Sequence, residues 1–216
     1  MSMPFRSPAD IDMAIPRVSS HLRGGGLVAY PTETVYGLGS RATEPDVRRL
    51  AELKGRRAGK PFLLLVAHRR MAERYGLVFT DAANTLADTF WPGPLTLVLA
   101  GAEGRLPDLL RGPEGGIAVR WTAHANMACL IDALGEPLTS TSANRPGGPT
   151  APGPAMLERE FKDAVTSGTL LVLDGGTLGN LPPSTVVDCT GPVPRLVREG
   201  AIPRAELQGR AAGYAP

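Results

Sequence analysis

Aromatic residues make up only 5% of the 216 residues, and there are two cysteines and three histidines. With so few rings, the core must be built mostly from Leu, Val, Ile and Ala. Cys129 and Cys189 form no C-x-x-C pair, and the histidines are too few and too scattered for a zinc cage. Both thiols are expected to be buried and reduced. No apolar run approaches the ~20 residues of a membrane span. Met1 to Asp12 has no apolar stretch resembling a signal peptide. A cytoplasmic protein without a membrane partner is therefore expected. Charge of one sign is also lacking: 23 Lys plus Arg stand against 21 Asp plus Glu. A globally basic surface is excluded, and any affinity for nucleotide or nucleic acid must come from a local cluster.

Several phosphate-handling and hydrolytic motifs are absent as well. The stretch Gly55-Arg56-Arg57-Ala58-Gly59-Lys60-Pro61 falls one residue short between its glycines for a P-loop. It also carries Pro61 where a magnesium-binding hydroxyl belongs. Gly37-Leu38-Gly39-Ser40-Arg41-Ala42 fits a dinucleotide fingerprint on paper, but the preceding apolar run ends too early, at Pro31, for a tight first βα turn. There is no G-x-S-x-G elbow and no H-E-x-x-H.

What is present suits one domain large enough to bury a core without disulfides. Helices are expected over Asp10–Arg23, Asp46–Lys54, Asp81–Phe90, His124–Leu134 and Pro154–Val165. Strands are expected over Leu27–Tyr30, Phe62–Val66, Leu95–Leu99, Ile117–Val119, Pro137–Thr139 and Leu170–Leu173. Thr185–Asp188 and Arg195–Val197 should form a hairpin-like pair. Gly55 suits the position after a helix end, and Thr43 or Asp46 its N-cap. The alternation of strands and helices predicts a single-domain α/β fold with a mixed sheet and flanking helices. Residues 1–23 supply an N-terminal helix to that domain, 24–204 its body and 205–216 a loosely held tail.

Four polar clusters accompany these strands, at positions where open α/β sheets commonly bind ligands. Thr32, Glu33 and Thr34 leave the first strand together; they can serve a ligand or satisfy their own turn. Lys54, Arg56, Arg57 and Lys60 crowd four cations around a helix end. One or two would complement the helix dipole; four point to a polyphosphate, which arginine grips in bidentate fashion. Thr139, Ser140, Thr141, Ser142 and Asn144 offer small hydrogen-bonding groups, either to a ligand or to local caps. Ser184 opens one strand, while Arg198 and Arg120 close two others, as ligand contacts or as surface ion pairs.

Taken in order, Pro31-Thr32-Glu33-Thr34-Val35-Tyr36-Gly37-Leu38-Gly39, Lys54-Gly55-Arg56, Lys60-Pro61, Trp91-Pro92-Gly93-Pro94-Leu95-Thr96, Val119-Arg120, Thr141-Ser142-Ala143-Asn144, Pro183-Ser184-Thr185-Val186-Val187-Asp188 and Arg198-Glu199-Gly200 resemble the YrdC-like threonylcarbamoyl-AMP synthases in their short form. The resemblance runs from about Gly24 to Ile202. It implies a twisted mixed sheet with a concave basic face. It implies a nucleotidyltransferase that joins L-threonine, bicarbonate and ATP, with Mg²⁺, into threonylcarbamoyl-AMP and pyrophosphate for tRNA modification. The product would pass to a transferase complex, with RNA or tRNA contact possible.

The resemblance also implies residue roles. Lys54 and Arg56 would be catalytic. Arg56, Lys60, Ser142, Asn144, Thr150 and Arg198 would hold ATP. Thr32, Thr34, Arg120, Ser140 and Ser184 would hold threonine, and no protein ligand to the metal is assigned. Leu65 stands where some relatives carry His. Competing expectations are a module that holds RNA without synthesis and a carbamoyl-adenylate enzyme similar to part of the hydrogenase-maturation proteins.

Overall fold

The computed structural model describes residues 2–55, 61–179 and 181–208. The chain opens with strand β1 (Met3–Pro4), helix α1 (Pro8–Arg23), β2 (Leu27–Tyr30) and β3 (Gly37–Gly39). Helix α2 (Glu44–Lys54), β4 (Leu63–Val66), α3 (Arg69–Arg74), β5 (Leu77–Val78) and α4 (Asp81–Phe90) follow. Then come β6 (Leu95–Gly101), β7 (Ile117–Trp121), α5 (Ala125–Leu134), β8 (Leu138–Ser142), α6 (Pro154–Glu160) and α7 (Lys162–Thr166). Strands β9 (Leu170–Asp174), β10 (Thr185–Asp188) and β11 (Arg195–Arg198) and helix α8 (Arg204–Gln208) complete it.

Local chemistry sets these boundaries. Helix α1 starts at Pro8, before the expected Asp10, because Ser7 and Asp10 form a capping box. The Ser7 hydroxyl accepts the Asp10 N–H at 3.2 Å, and the Asp10 carboxylate accepts the Ser7 N–H at 2.8 Å. Its buried face is Ile11, Ala14, Val18 and Leu22, the expected set, with Ser19 added. Gly55 ends α2 in the left-handed region at φ 61°. The expected helix over Pro154–Val165 is two, because the buried Phe161 departs from helical backbone at φ −113°, ψ 31°.

The described strands form one mixed sheet in the order β1-β9-β2-β3-β8-β4-β7-β6-β10-β11, with β5 beside β6. β1, β9 and β2 run parallel, as do β4 with β7 and β6 with β10; the remaining neighbours are antiparallel. The hairpin-like pairing of β10 and β11 is among them. Glycines at β3 let the sheet close at its middle. A Cβ on Gly39 would stand 2.2 Å from the Thr139 carbonyl oxygen and 2.9 Å from the Tyr30 ring. Tyr30 is fully buried there and donates to the Thr139 carbonyl at 3.0 Å. That ring fills the volume that two strand side chains would otherwise take.

Three expectations change. The strand expected over Pro137–Thr139 is β8 and runs on to Ser142, so it takes in the third polar cluster except Asn144, with Thr139 fully buried. Its hydroxyl is used internally, accepting the Ser40 N–H at 2.8 Å. Cys189 is buried, but Cys129 is exposed, since α5 turns Met127, Leu130, Ile131 and Leu134 to the core and leaves position 129 outside. Beyond Arg204 the chain still forms α8, whose Leu207 is fully buried. No described helix is long and apolar enough to cross a membrane.

Candidate functional site

One face of the central sheet holds a cavity of about 640 Å³. Its walls come from the loop after β2, the end of α2, and strands β6, β7, β8, β10 and β11. Thr32, Thr34, Lys54, Arg120, Ser140, Ser142, Asn144, Ser184 and Arg198 all line it. Residues more than a hundred positions apart in the chain thus share one space, as the four clusters anticipated. Gly55 and Pro61 also line it, and Arg56, Arg57 and Lys60 fall between them in the sequence. Those three residues lie outside the described residues. Thr150 is partly exposed and is not among the lining residues, and neither is the fully buried Leu65.

Arg120 sits at the back of the cavity, 4% exposed. Its Nη1 donates to the Thr34 hydroxyl at 3.4 Å and its Nη2 lies 3.6 Å from Glu33 Oε2. Its buried Nε has no hydrogen-bond partner. Burial lowers its pKa from the usual arginine value, opposed by the charge of Glu33, yet a guanidinium remains a cation at neutral pH. A buried cation that lines a cavity and has only one carboxylate near it, at 3.6 Å, is suited to a further anionic ligand group.

Arg198 reaches over the opposite rim. Its Nη2 donates to the Ser184 carbonyl at 2.7 Å and approaches the Ser184 hydroxyl at 3.5 Å. Partial burial and then repulsion from Arg120 lower its pKa. Two guanidiniums that line one cavity are stabilised together by an anion between them. The bend that brings Arg198 there depends on Gly200, where a Cβ would stand 2.1 Å from the Pro183 carbonyl oxygen. The Gly200 and Ile202 N–H groups then bond the Thr185 hydroxyl at 3.0 and 2.9 Å.

Hydroxyls line the floor. Ser184 is 2% exposed and pairs with the Thr96 hydroxyl at 2.9 Å. Thr96 was not assigned a role from the sequence, although the Trp-Pro-Gly-Pro-Leu-Thr motif contains it. Strand β6 runs parallel to β10, with Thr96 opposite Val186, and that register puts the two hydroxyls together. Thr32 is less available than expected. Its hydroxyl donates to the Val35 carbonyl at 2.7 Å and accepts the Thr34 and Val35 N–H groups at 3.1 and 3.2 Å. It therefore shapes its own turn, the second of the two roles open to it.

The Lys54 ammonium donates to the Ser142 carbonyl at 2.6 Å, to the Asn144 side-chain oxygen at 2.5 Å, and to the Asn144 carbonyl. Three acceptors match the three N–H donors of an ammonium. Asn144 completes the knot, accepting the Ser142 hydroxyl at 2.7 Å and donating to the Gly148 carbonyl at 2.5 Å. Arg145 adds a second tie to α2 through the Leu53 carbonyl at 3.2 Å. Lys54 thereby ties the Ser142–Gly148 loop to the end of α2.

A hydroxyl-lined cavity with Arg120 and Arg198 in its wall, on a mixed α/β sheet, has the chemistry to suit a ligand that is both anionic and polar. A family model for Sua5, YciO and YrdC, described as "Telomere recombination", matches residues 20–200, and the chain belongs to that family. It is 37% identical to the threonylcarbamoyl-AMP synthase of Pyrococcus abyssi over 87% of this chain and 54% of that protein. The chain therefore spans about half the length of that relative. It is 39% identical to the Nitrosococcus oceani threonylcarbamoyl-AMP synthase over 77% of this chain and 88% of that protein. Among solved structures, P. abyssi Sua5 complexed with L-threonine superposes with a TM-score of 0.87 at 33% identity, covering 99% of this chain and 62% of that one. E. coli YciO superposes with a TM-score of 0.81 at 28% identity, over 96% of this chain and 100% of that one.

Proposed function

We propose that this chain is a threonylcarbamoyl-AMP synthase, a nucleotidyltransferase that makes threonylcarbamoyl-adenylate and pyrophosphate from L-threonine, bicarbonate and ATP. The observation that carries the reading is the pair Arg120 and Arg198 facing one hydroxyl-lined cavity. Two cations at separate depths suit two anionic groups, an amino-acid carboxylate at the back and a phosphate toward the rim. Synthases named for this product among the relatives, and a threonine complex among the structural neighbours, support it.

In the proposed arrangement Arg120 takes the threonine carboxylate. Thr34, Ser140 and Ser184 surround the rest of the amino acid, and Thr32 holds their turn. Ser142 and Arg198 meet the nucleotide, on a loop fixed by Lys54 and Asn144. Arg56 and Lys60 would act on phosphates from the segment between Gly55 and Pro61. The threonine amine and bicarbonate give a carbamate and water. A carbamate oxygen then attacks the α-phosphorus of ATP; a new P–O bond forms as the bond to the bridging oxygen breaks, and pyrophosphate leaves. The nucleophile is already an anion, so the protein needs charge neutralisation and alignment rather than a nucleophile of its own.

Magnesium is assigned to the nucleotide and enters with it. The described lining residues contribute hydroxyls, carbonyls and an amide but no carboxylate, and no described group of His, Cys, Asp and Glu could hold a metal ion. No step is routed through it. A role in tRNA modification, transfer of the product to a partner complex and a cytoplasmic setting belong to the same proposal. The two competing expectations gain no support; likeness to HypF, at 17% identity, extends to the fold alone. The test is mass analysis of products after incubation with all three substrates, each omitted in turn. Absence of a threonine-dependent carbamoyl-adenylate refutes the reading.

A further inference from the structure

Among the described residues, Glu33 is the carboxylate that pairs with the cavity's buried cation, and nothing in the reaction above uses it. It stands in the loop after β2, does not line the cavity, and has a side chain 17% exposed. Its Oε2 accepts the Thr122 hydroxyl at 2.7 Å and lies 3.6 Å from Arg120 Nη2, while its buried Oε1 has no hydrogen-bond partner. Thr122 is itself buried and also takes the His124 N–H at 3.1 Å, next to α5. The neighbouring Thr34 hydroxyl meets Arg120 Nη1 at 3.4 Å. Thus the loop after β2 meets both terminal nitrogens of the guanidinium, and its buried Nε has no hydrogen-bond partner.

We infer that Glu33 is a positioning residue: held by Thr122, it fixes the Arg120 guanidinium in the cavity wall where it meets the substrate carboxylate, and it supplies the counter-charge that keeps this buried cation in place when no substrate is bound. The inference rests on the threonine assignment to Arg120. Its chemistry is general. A buried cation left without any anion is costly, so it shifts toward solvent or draws in water and adventitious anions. A single carboxylate at 3.6 Å, outside bidentate hydrogen-bonding geometry, holds the cation without saturating its donors.

The test compares wild type, Glu33→Gln and Thr122→Val in steady-state synthesis with threonine and ATP varied separately. Glu33→Gln keeps the shape and an acceptor for Thr122 but removes the charge; Thr122→Val leaves the charge and frees its carboxylate. Glu33→Gln should raise the KM for threonine about tenfold, with kcat and the KM for ATP within about twofold. Thr122→Val should move the same parameter in the same direction by a smaller factor. Should Glu33→Gln not fold, Thr122→Val decides alone. A threonine KM unchanged in the folded variants, or threonine and ATP KM raised alike, overturns the inference. A wild-type chain that neither binds threonine nor turns it over refutes the threonine assignment and the inference with it, whereas an active wild type matched by its variants refutes the inference alone.

Discussion

Replacing Lys54 with methionine separates a strut from a catalytic group. Methionine keeps an unbranched stem but removes the ammonium that ties the Ser142 carbonyl, the Asn144 carbonyl and the Asn144 side chain to the end of α2. Hydrogen bonds to a charged group contribute about 1.5–3 kcal/mol each when both partners are buried. These acceptors border an open cavity and can recover water, so the sum is not additive. The net loss should be about 2–4 kcal/mol. For a chain of this size that lowers Tm by roughly 5–15 °C. Urea and thermal unfolding measure it, alongside steady-state synthesis. The strut account predicts lower stability and a raised KM for ATP, with much of kcat recovered at saturating ATP. A variant of wild-type stability that loses kcat at saturating substrate would refute it, because only a group on the reacting atoms behaves that way.

Other outcomes follow from the same contacts. Ser184→Ala leaves the buried Thr96 hydroxyl without its 2.9 Å partner and should raise the threonine KM more than the ATP KM; equal effects contradict the assignment. Gly200→Ala forces a Cβ to within 2.1 Å of the Pro183 carbonyl oxygen and should destabilise by about 2 kcal/mol or more through backbone displacement, read by urea midpoint. A thiol reagent at pH 8 should label one cysteine per native chain, the exposed Cys129. Cys189, its pKa pushed up to about 12 by burial and then by Asp188, should react only after unfolding, and two rapid reactions in the native state would contradict this. The Arg6 side chain, hydrogen-bonded at 2.6 Å, lowers the Asp174 pKa from its usual value. That stabilisation is present above the ordinary aspartate pKa of about 3.9 and is lost as pH falls through the lower folded value. Asp174→Asn should therefore flatten the fall in stability below about pH 4; an unchanged acid slope speaks against the linkage.

Strands and helices whose apolar pattern matched their burial were legible residue by residue: Leu27–Tyr30, Asp81–Phe90 and Thr185–Asp188 fall where periodicity and turn residues put them. Strand β3 was not, because Gly37-Leu38-Gly39 carries almost no side-chain signal; it pairs with β2 and β8, and the Tyr30 ring takes the space that a Cβ on either glycine would need. Helix α3 is six residues long, and its cap is His68, whose ring nitrogen accepts the Met71 N–H at 3.0 Å; histidine is not among the common capping residues. For the site, Arg120, Ser140, Ser184 and Arg198 could be singled out through the ordered motifs of the family resemblance; their chemistry alone left them as ligand contacts, local caps or surface ion pairs. The tie that Lys54 makes could not, since it depends on carbonyl oxygens nearly ninety positions away. Thr96 and Glu33 escaped for the same reason: each acts on a partner that only the sheet register brings near.

The central claim is that this cavity binds an amino acid and a nucleotide side by side and joins them. Its most direct test is mass spectrometry of the products formed by the purified chain from ATP, bicarbonate and L-threonine. A threonylcarbamoyl-adenylate with matching pyrophosphate, lost when any one substrate is withheld or when Arg120 is replaced by alanine, is the predicted result. No such adduct from a folded chain, or an adduct that persists without threonine or without Arg120, would contradict it.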